Sequence, residues 1–170
     1  NLAQELNKTF LEVIVANGFD KKALTLLKRR KNLRLIDASN FSLDEIFKFN
    51  SLNGSILIQS EDKKKMLQSD FKVVSKKKPT KTQFDNLIFA FNICRYVKSN
   101  AIVLASGNAT VGIGSGQPSR LDSCQIAIDK MNKFIKLDND VVAASDAFFP
   151  FVDGIEKLVQ AGVTAVIQPS

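Results

Sequence analysis

The chain has 170 residues, 45% of them hydrophobic, which is enough for one substantial core or two small ones. It contains no histidine, and this excludes the usual base of a Ser-His triad and the commonest nitrogen ligand of zinc. The net charge of +7 favours anionic partners such as phosphates, nucleic acid or polycarboxylates.

The environment of the chain is indicated by what its sequence lacks. No apolar stretch approaches the roughly 20 residues of a membrane span, and the first residues form no signal pattern, so we expect a cytoplasmic protein without a membrane partner. Cys94 and Cys124 lie in predicted helices without CxxC spacing, which predicts reduced, buried thiols. The chain opens without Met and stops after a predicted strand, which indicates that residues 1–170 are an internal segment.

The first half of the chain alternates β-branched segments with helical patterns, which predicts an α/β layered fold. Residues 10–16 are predicted as a strand, Asp20 as the cap of a helix through Arg30, and residues 33–36 as a second strand. Together they predict a βαβ unit. Less regular elements follow: a helix at 43–47, a strand at 55–59 after Asn53-Gly54, and a strand at 71–74.

The second half begins with the clearest helical pattern, opened by Pro79 and Thr80 and ending near Lys98. The Gly107-Asn108 pair is typical of a tight turn and predicts a β-hairpin of strands 101–105 and 110–113. The remaining predicted elements are a helix from a Ser119 cap through Ile135, a strand at 141–145, a helix ending at Gln160 and a strand at 163–168, the last three forming a closing βαβ unit.

A glycine run joins the hairpin to the next helix. Gly112, Gly114 and Gly116 would let the backbone approach a ligand, and the following helix N-terminus would offer N–H groups to an anion. A dinucleotide fingerprint is a weak match because Gln117 stands where its third glycine is needed. A phosphate cradle and a structural bend both remain open.

The segment 146–153 contains three phenylalanines around one proline, directly after a predicted strand. They could form a flat wall for a heteroaromatic ring, with Asp146 or Asp153 pairing to its polar edge. Taken alone, the pattern favours a buried core, since buried aromatics are commoner than binding walls. Asn100 taken alone indicates a turn residue, as does the Asn17-to-Asp20 segment. The lysine runs, with little aromatic interleaving, favour solvated surface over a nucleic-acid groove.

Three blocks read together are more specific than any one of them. Residues 98–103, 112–122 and 145–151 resemble, in order and spacing, the AICAR transformylase domain of the bifunctional purine-biosynthesis family. The resemblance implies formyl transfer from 10-formyltetrahydrofolate to the 5-amino group of AICAR. It also implies a cytidine-deaminase-like three-layer fold with a mixed sheet and no metal, of which the chain would be an incomplete fragment of a duplicated domain, and a homodimer in the intact protein.

The resemblance also implies site residues. Asn100 matches the active-site asparagine, whose amide would orient either the attacking amine or the formyl oxygen as charge develops. The other matches are Gly18, Asp37 (or equally Ser39), Arg120 and Phe148 on the AICAR side, and Leu121 and Asp153 on the folate side. We expect Asn100, Arg120 and the phenylalanines near Phe148 to converge on one cleft.

The departures from the family are as informative as the matches. The family's Lys-His pair and a phosphate-gripping arginine lie outside these 170 residues, so the resemblance predicts no measurable formyl transfer by the chain alone. Two alternatives stay open: a non-catalytic, basic α/β module that binds nucleic acid or acts as a scaffold, and a nucleotide-binding enzyme that uses the glycine bend as a phosphate cradle.

Overall fold

The structure is a computed structural model and describes residues 2–41, 47–62, 64–134 and 140–169. The chain divides into two compact units, Asn1–Glu61 and Asp62–Ser170. Within the described ranges, no helix has both the length and the apolar character needed to cross a membrane.

The first unit contains the predicted βαβ element. Helix α1 (Leu2–Lys8) comes first, and the βαβ element that follows consists of β1 (Val13–Ala16), α2 (Lys21–Leu27) and β2 (Arg34–Asp37). β1 and β2 pair in parallel, as predicted. The N-cap is also confirmed, because Asp20 Oδ1 accepts a hydrogen bond from the Ala23 amide at 2.7 Å.

Two boundaries in this unit were wrong. α2 ends at Leu27 instead of Arg30, and α1 occupies residues that the sequence left unassigned. The Arg30 guanidinium accounts for the second difference, since it donates to the carbonyl oxygens of Thr9 at 2.8 Å and of Leu6 and Leu11 at 3.4 Å. These bonds satisfy carbonyls at the end of α1 and fix a turn where the sequence predicted the start of a strand.

A hairpin completes the first unit. β3 (Phe47–Leu52) and β4 (Ser55–Ser60) pair antiparallel about Asn53-Gly54, with Gly54 at φ 82°, so the predicted strand at 55–59 is confirmed. The predicted helix at 43–47 falls mostly outside the described residues. At Phe47 the prediction is wrong, because this residue opens β3.

The segment before the second sheet is less regular than expected. It contains one 3₁₀ turn (Gln68–Asp70), and residues 71–74 form no strand, so that prediction is wrong. Phe71 instead packs edge-to-face on Phe91, with ring centroids 5.2 Å apart, while Val74 is 89% exposed. Of these apolar residues, Phe71 packs against α3, and the segment pairs with no strand in the described part of the chain.

The second unit is built on a four-stranded mixed sheet. Its elements are α3 (Lys81–Cys94), β5 (Ile102–Ser106), β6 (Ala109–Gly114), α4 (Arg120–Phe134), β7 (Val141–Ser145), α5 (Asp153–Gln160) and β8 (Val163–Ile167). The strand order is β6-β5-β7-β8, with β5 antiparallel to both neighbours and β7 parallel to β8. The predicted hairpin and the closing βαβ unit are both confirmed.

Helices cover both faces of this sheet. One core joins α4 and α5 to residues such as Ile102, Leu104 and Val141, and the other joins α3 to Val103 and Val142. The two central strands are therefore buried on both sides, which is why they read as continuous apolar runs. The unit has three layers of mixed α/β structure, in line with the predicted α/β class.

α3 begins at a capping box. Thr80 Oγ1 accepts from the Gln83 amide at 3.1 Å, and Gln83 Oε1 accepts from the Thr80 amide at 2.9 Å. The helix ends at Cys94, four residues before the predicted end. Cys94 and Cys124 are free and buried, as predicted, and burial raises the pKa of their thiols to about 12 and about 11.

Two of the three glycines in the run serve helix packing. A Cβ on Gly114 would lie 1.9 Å from the Ser123 carbonyl oxygen, and one on Gly112 would lie 2.1 Å from that of Ala127. Both contacts are with α4, so glycine is required because β6 and α4 approach backbone to backbone. For these two positions the structure favours the structural interpretation of the run over the phosphate cradle.

Candidate functional site

Three polar residues of the second unit meet at one edge of its sheet. Asn100 precedes β5, Asp146 follows β7, and Arg120 is the first residue of α4. β5 and β7 are antiparallel, with Ile102 opposite Ser145, so the start of one strand lies beside the end of the other. The topology therefore brings together residues that are up to 46 positions apart in the sequence.

The guanidinium of Arg120 is the centre of this network. Its Nη2 donates to Asn100 Oδ1 at 2.7 Å, and its Nη1 donates to Asp146 Oδ1 at 2.6 Å and to Ser145 Oγ at 2.8 Å. The side chains of the ion pair are only 11% and 18% exposed, for Arg120 and Asp146 respectively. A charge-assisted contact of this kind, largely shielded from water, is stronger than a surface ion pair.

Asn100 is held at its side chain and at its backbone. Nδ2 donates to the carbonyl oxygens of Gln117 and Pro118, each at 3.0 Å. The Asn100 carbonyl oxygen accepts from the Ser123 hydroxyl at 2.7 Å. The peptide bond between Ser99 and Asn100 is cis. The side chain remains partly accessible, so it is both fixed and within reach of a ligand.

Asp146 carries a negative charge at neutral pH in this setting. Burial alone would raise its pKa, but hydrogen bonds from the Ser99 side chain, Arg120 and the Ala101 amide hold the pKa of the carboxyl below its ordinary value. The oxygen Oδ1 of Asp146 faces Arg120 and the Ala101 amide, and the pairing of Asp146 or Asp153 with a ligand ring stays a prediction.

The phenylalanines divide between core and surface. Phe149 packs against the core, and its ring centroid lies 6.0 Å from Arg120 Cζ. Gly154 makes room for this ring, since a Cβ there would lie 2.8 Å from it. Phe148 and Phe151 are 56% and 71% exposed, so the interpretation of all three as core is wrong.

The two residues assigned to the folate side lie close to the network in sequence. Leu121 follows Arg120 in α4 and is half-buried. Asp153 opens α5 and is exposed, and its Oδ1 accepts from the Gly154 amide at 2.7 Å. A carboxylate in the first turn of a helix interacts favourably with the helix dipole, which also gives Asp153 a structural role.

Gly18 and Asp37 belong to the first unit and lie at the same edge of its two-stranded sheet. Gly18 follows β1 at φ 113°, a conformation that favours glycine, and Asp37 is the last residue of β2. Asp37 Oδ1 accepts from the Ser39 amide at 2.9 Å, and hydrogen bonds from the Ser39 side chain and amide lower the pKa of this carboxyl. The two residues that the sequence offered as alternatives are thus bonded to each other.

One small cavity reaches the network. It has a volume of about 150 Å³ and is lined by Asp62, Met66, Phe91, Cys94, Arg95 and Asp146. Of the residues of the polar network, only Asp146 lines this cavity. The volume is less than the roughly 300 Å³ at the lower end of ligand sites. In the described part of the chain, no group of three or more Cys, Asp or Glu residues is placed to hold a metal ion.

Sequence reasoning missed two residues of the network. Ser145 Oγ accepts from Arg120 and donates to the Ala147 carbonyl at 2.7 Å, and Ser123 binds the Asn100 backbone. Both serines are fully buried. A serine at the end of an otherwise apolar strand, and another on the buried face of a helix, are the signals that could have indicated them.

A mixed α/β unit with a buried polar network at the ends of its strands is an architecture typical of enzymes. The family described as "AICARFT/IMPCHase bienzyme" matches residues 1–130. The chain is also similar to the bifunctional purine biosynthesis proteins PurH of three bacteria. It is 42% identical to that of Caldicellulosiruptor saccharolyticus, 39% to that of Acetivibrio thermocellus and 42% to that of Aquifex aeolicus. Each match covers 98% of this chain and 32% of the relative.

The chain therefore belongs to the AICARFT/IMPCHase bienzyme family, and the resemblance drawn from its sequence blocks is confirmed. It spans about a third of the length of the curated relatives that it matches.

Proposed function

We propose that this chain contributes to formyl transfer from 10-formyltetrahydrofolate to the 5-amino group of AICAR, a step of purine biosynthesis. The observation that carries the proposal is the 2.7 Å contact between Arg120 and Asn100 in a chain of this family, because it joins two of its conspicuous sequence blocks in one site. Phe149 beside Arg120 adds an aromatic surface at the same place.

The proposed reaction needs positioned polar groups more than a metal. The amine nitrogen attacks the formyl carbon, the bond from that carbon to N10 of the folate breaks, and a proton passes from the amine to N10. Asn100 orients the reacting groups, while Arg120 and Phe148 contribute to the AICAR side and Leu121 to the folate side. Gly18, Asp37 and Asp153 complete the proposed substrate contacts.

Further features of the proposal come from the family. The mixed sheet with helices on both faces supports a cytidine-deaminase-like fold, and the duplication of that fold in the intact domain remains a prediction. A homodimer, a cytoplasmic location and the absence of a metal cofactor remain predictions. The net charge of +7 suits two anionic substrates, a nucleotide monophosphate and a folate.

The catalytic base is expected to come from outside these residues. The printed sequence has no histidine, and loss of a general base typically costs about a hundredfold or more in rate. We therefore expect no measurable formyl transfer by the 170-residue chain, and full activity by the complete protein that contains it. The activities of the 170-residue chain and of the complete protein are both measured by the absorbance change as tetrahydrofolate forms from the formylated cofactor, with AICAR present and absent.

A substitution at Asn100 tests the site itself. Asn100→Ala in the complete protein should abolish most formyl transfer while the protein still folds, and Asn132→Ala, on the exposed side of α4, is the matched control. Transfer at the wild-type rate by Asn100→Ala would contradict the proposal. Salt-dependent RNA binding without any effect of AICAR on the melting temperature would support the nucleic-acid-binding alternative.

A further inference from the structure

The side-chain amide of Asn100 has no donor left for a ligand. An amide nitrogen carries two N–H groups, and Nδ2 of Asn100 directs one to the Gln117 carbonyl and one to the Pro118 carbonyl, each at 3.0 Å. Only the oxygen, which has two lone pairs and one bonded donor, can make a new hydrogen bond.

The opposite orientation of this amide, with oxygen and nitrogen exchanged, is disfavoured both by Arg120 and by the two carbonyl oxygens. Arg120 Nη2, which lies 2.7 Å from Oδ1, can only donate, so a flipped amide would place N–H groups against N–H groups. The flipped oxygen would at the same time face two carbonyl oxygens. The guanidinium therefore determines which atom of Asn100 is available.

The charge of Arg120 is already paired. Nη1 uses its two N–H groups on Asp146 Oδ1 and Ser145 Oγ, and Nη2 uses one on Asn100. With the carboxylate of Asp146 at 2.6 Å, the guanidinium has a built-in counterion and is poorly suited to neutralising a phosphate or a carboxylate of a substrate. Its geometry suits an anchor for Asn100.

Asp146 also fixes the backbone next to Asn100. The same oxygen that accepts from Arg120 accepts from the Ala101 amide at 2.9 Å, and the Asp146 amide donates to the Ala101 carbonyl at 3.3 Å. One carboxylate thus holds the guanidinium that orients the Asn100 side chain and the peptide group that follows Asn100.

From these contacts we infer that Asp146 is a positioning residue which, through Arg120, makes Asn100 present its amide oxygen to the substrate. Resting on the proposed function, this assigns Asn100 to the N–H donor of the reaction, the attacking amine of AICAR, and not to the formyl oxygen. It also makes Arg120 act through Asn100 instead of binding a substrate anion.

The first test needs no substrate and uses the 170-residue chain. In ¹H–¹⁵N spectra, both Nδ2 protons of Asn100 should exchange slowly with water, and Asp146→Ala should speed their exchange by about tenfold or more because the amide loses its charged anchor. Asp129→Asn, an exposed carboxylate on α4, is the control and should change nothing at Asn100. Fast exchange of either proton in the wild-type chain would overturn the inference without requiring any variant to fold.

The second test separates positioning from anion binding in the complete enzyme. Asp146→Ala should lower kcat by about tenfold or more and leave the KM for AICAR within about twofold. Asp146→Asn keeps an oxygen for Arg120 and Ala101 and should recover part of kcat. A fall in the KM for AICAR with kcat unchanged, as expected if unpairing frees Arg120 to bind an anion, would overturn the inference.

The two tests distinguish this inference from the proposed function. Slow Nδ2 exchange that depends on Asp146, in a protein whose complete form transfers no formyl group, would refute the proposed reaction and leave the orientation of the amide established. Active enzyme with a rapidly exchanging Asn100 amide would refute the positioning role alone.

Discussion

Replacing Gly114 with alanine tests the close approach of β6 to α4. The added Cβ would lie 1.9 Å from the Ser123 carbonyl oxygen, 2.6 Å from its carbonyl carbon and 2.8 Å from its Cα. These are backbone atoms in the first turns of a helix, so no side-chain rotation can relieve the overlap. Helix and strand must separate by about 1 Å to restore a tolerable contact.

The cost follows from what α4 buries. Ser123, Cys124, Ala127 and Met131 are all fully buried on its inner face, and Ile128 is nearly so. A gap of about 0.5–1 Å forfeits roughly a quarter to a half of each dispersion contact across it. Because overpacking with a side chain that can adjust already costs about 1–3 kcal/mol, we expect Gly114→Ala to lower the free energy of unfolding by about 3 kcal/mol or more.

Urea denaturation of the 170-residue chain measures this loss. Thr110→Ala is the matched control, because Thr110 lies in the same strand but is exposed, and we expect a change within about 1 kcal/mol. Equal stability of the two variants would refute the reasoning, since it would show that β6 and α4 are not in backbone contact.

Three other predictions concern single side chains. Burial raises the pKa of Cys94 from 9.0 to about 12, so the folded state holds this proton where the unfolded chain releases it; its contribution to stability is intact below about pH 9 and lost as pH rises towards 12. Between pH 8 and pH 10 the wild type should lose about 1.4 kcal/mol more than Cys94→Ala in urea titrations, and parallel losses would contradict this. The folded pKa of Asp146 is depressed instead, so its contribution is present above about pH 4 and is lost as pH falls through the folded value. Acid unfolding of Asp146→Asn should therefore be less steep than that of the wild type, and identical acid curves would argue against the ion pair. Thr80→Ala removes the cap of α3 and should cost about 1 kcal/mol by thermal unfolding, whereas Thr82→Ala, exposed in the same helix, should cost nothing; similar losses would show that the cap is not formed.

The sequence predicted the second unit well because its signals are local. The central strands are apolar on both faces, the Gly107-Asn108 turn has both residues at φ 57°, and Thr80 and Gln83 form a capping box. Each of these features is determined by a few neighbouring residues, so it could be read without knowing the rest of the fold.

The predictions are wrong where contacts with residues distant in the sequence determine the secondary structure. Residues 71–74 have the composition of a strand, but Phe71 packs on Phe91 of α3 and no strand pairs with them. α1 is stabilised at its end by Arg30, more than twenty positions away along the chain from Leu6. Pattern and propensity contain no information about such partners.

The same limit applies to the candidate site. Family resemblance supplied Asn100 and Arg120 as members of one cleft, but the pairing of Arg120 with Asp146 and Ser145 depends on the ends of two strands meeting. Asp146 was considered only as a ligand contact, because a carboxylate in a loop gives no sign in the sequence of which cation it faces. Its role became visible from the strand pairing.

Ser123 connects the packing of α4 on β6 with the geometry of the candidate site. Ser123 presents its carbonyl oxygen to Gly114 and its hydroxyl to the Asn100 carbonyl, and it lies three residues after Arg120 in the same helix. Any side chain at position 114 that moves α4 away from β6 therefore moves Arg120 and Ser123 away from Asn100 together. The glycine at this position serves the site by setting the position of a helix, and it can do so without touching a ligand.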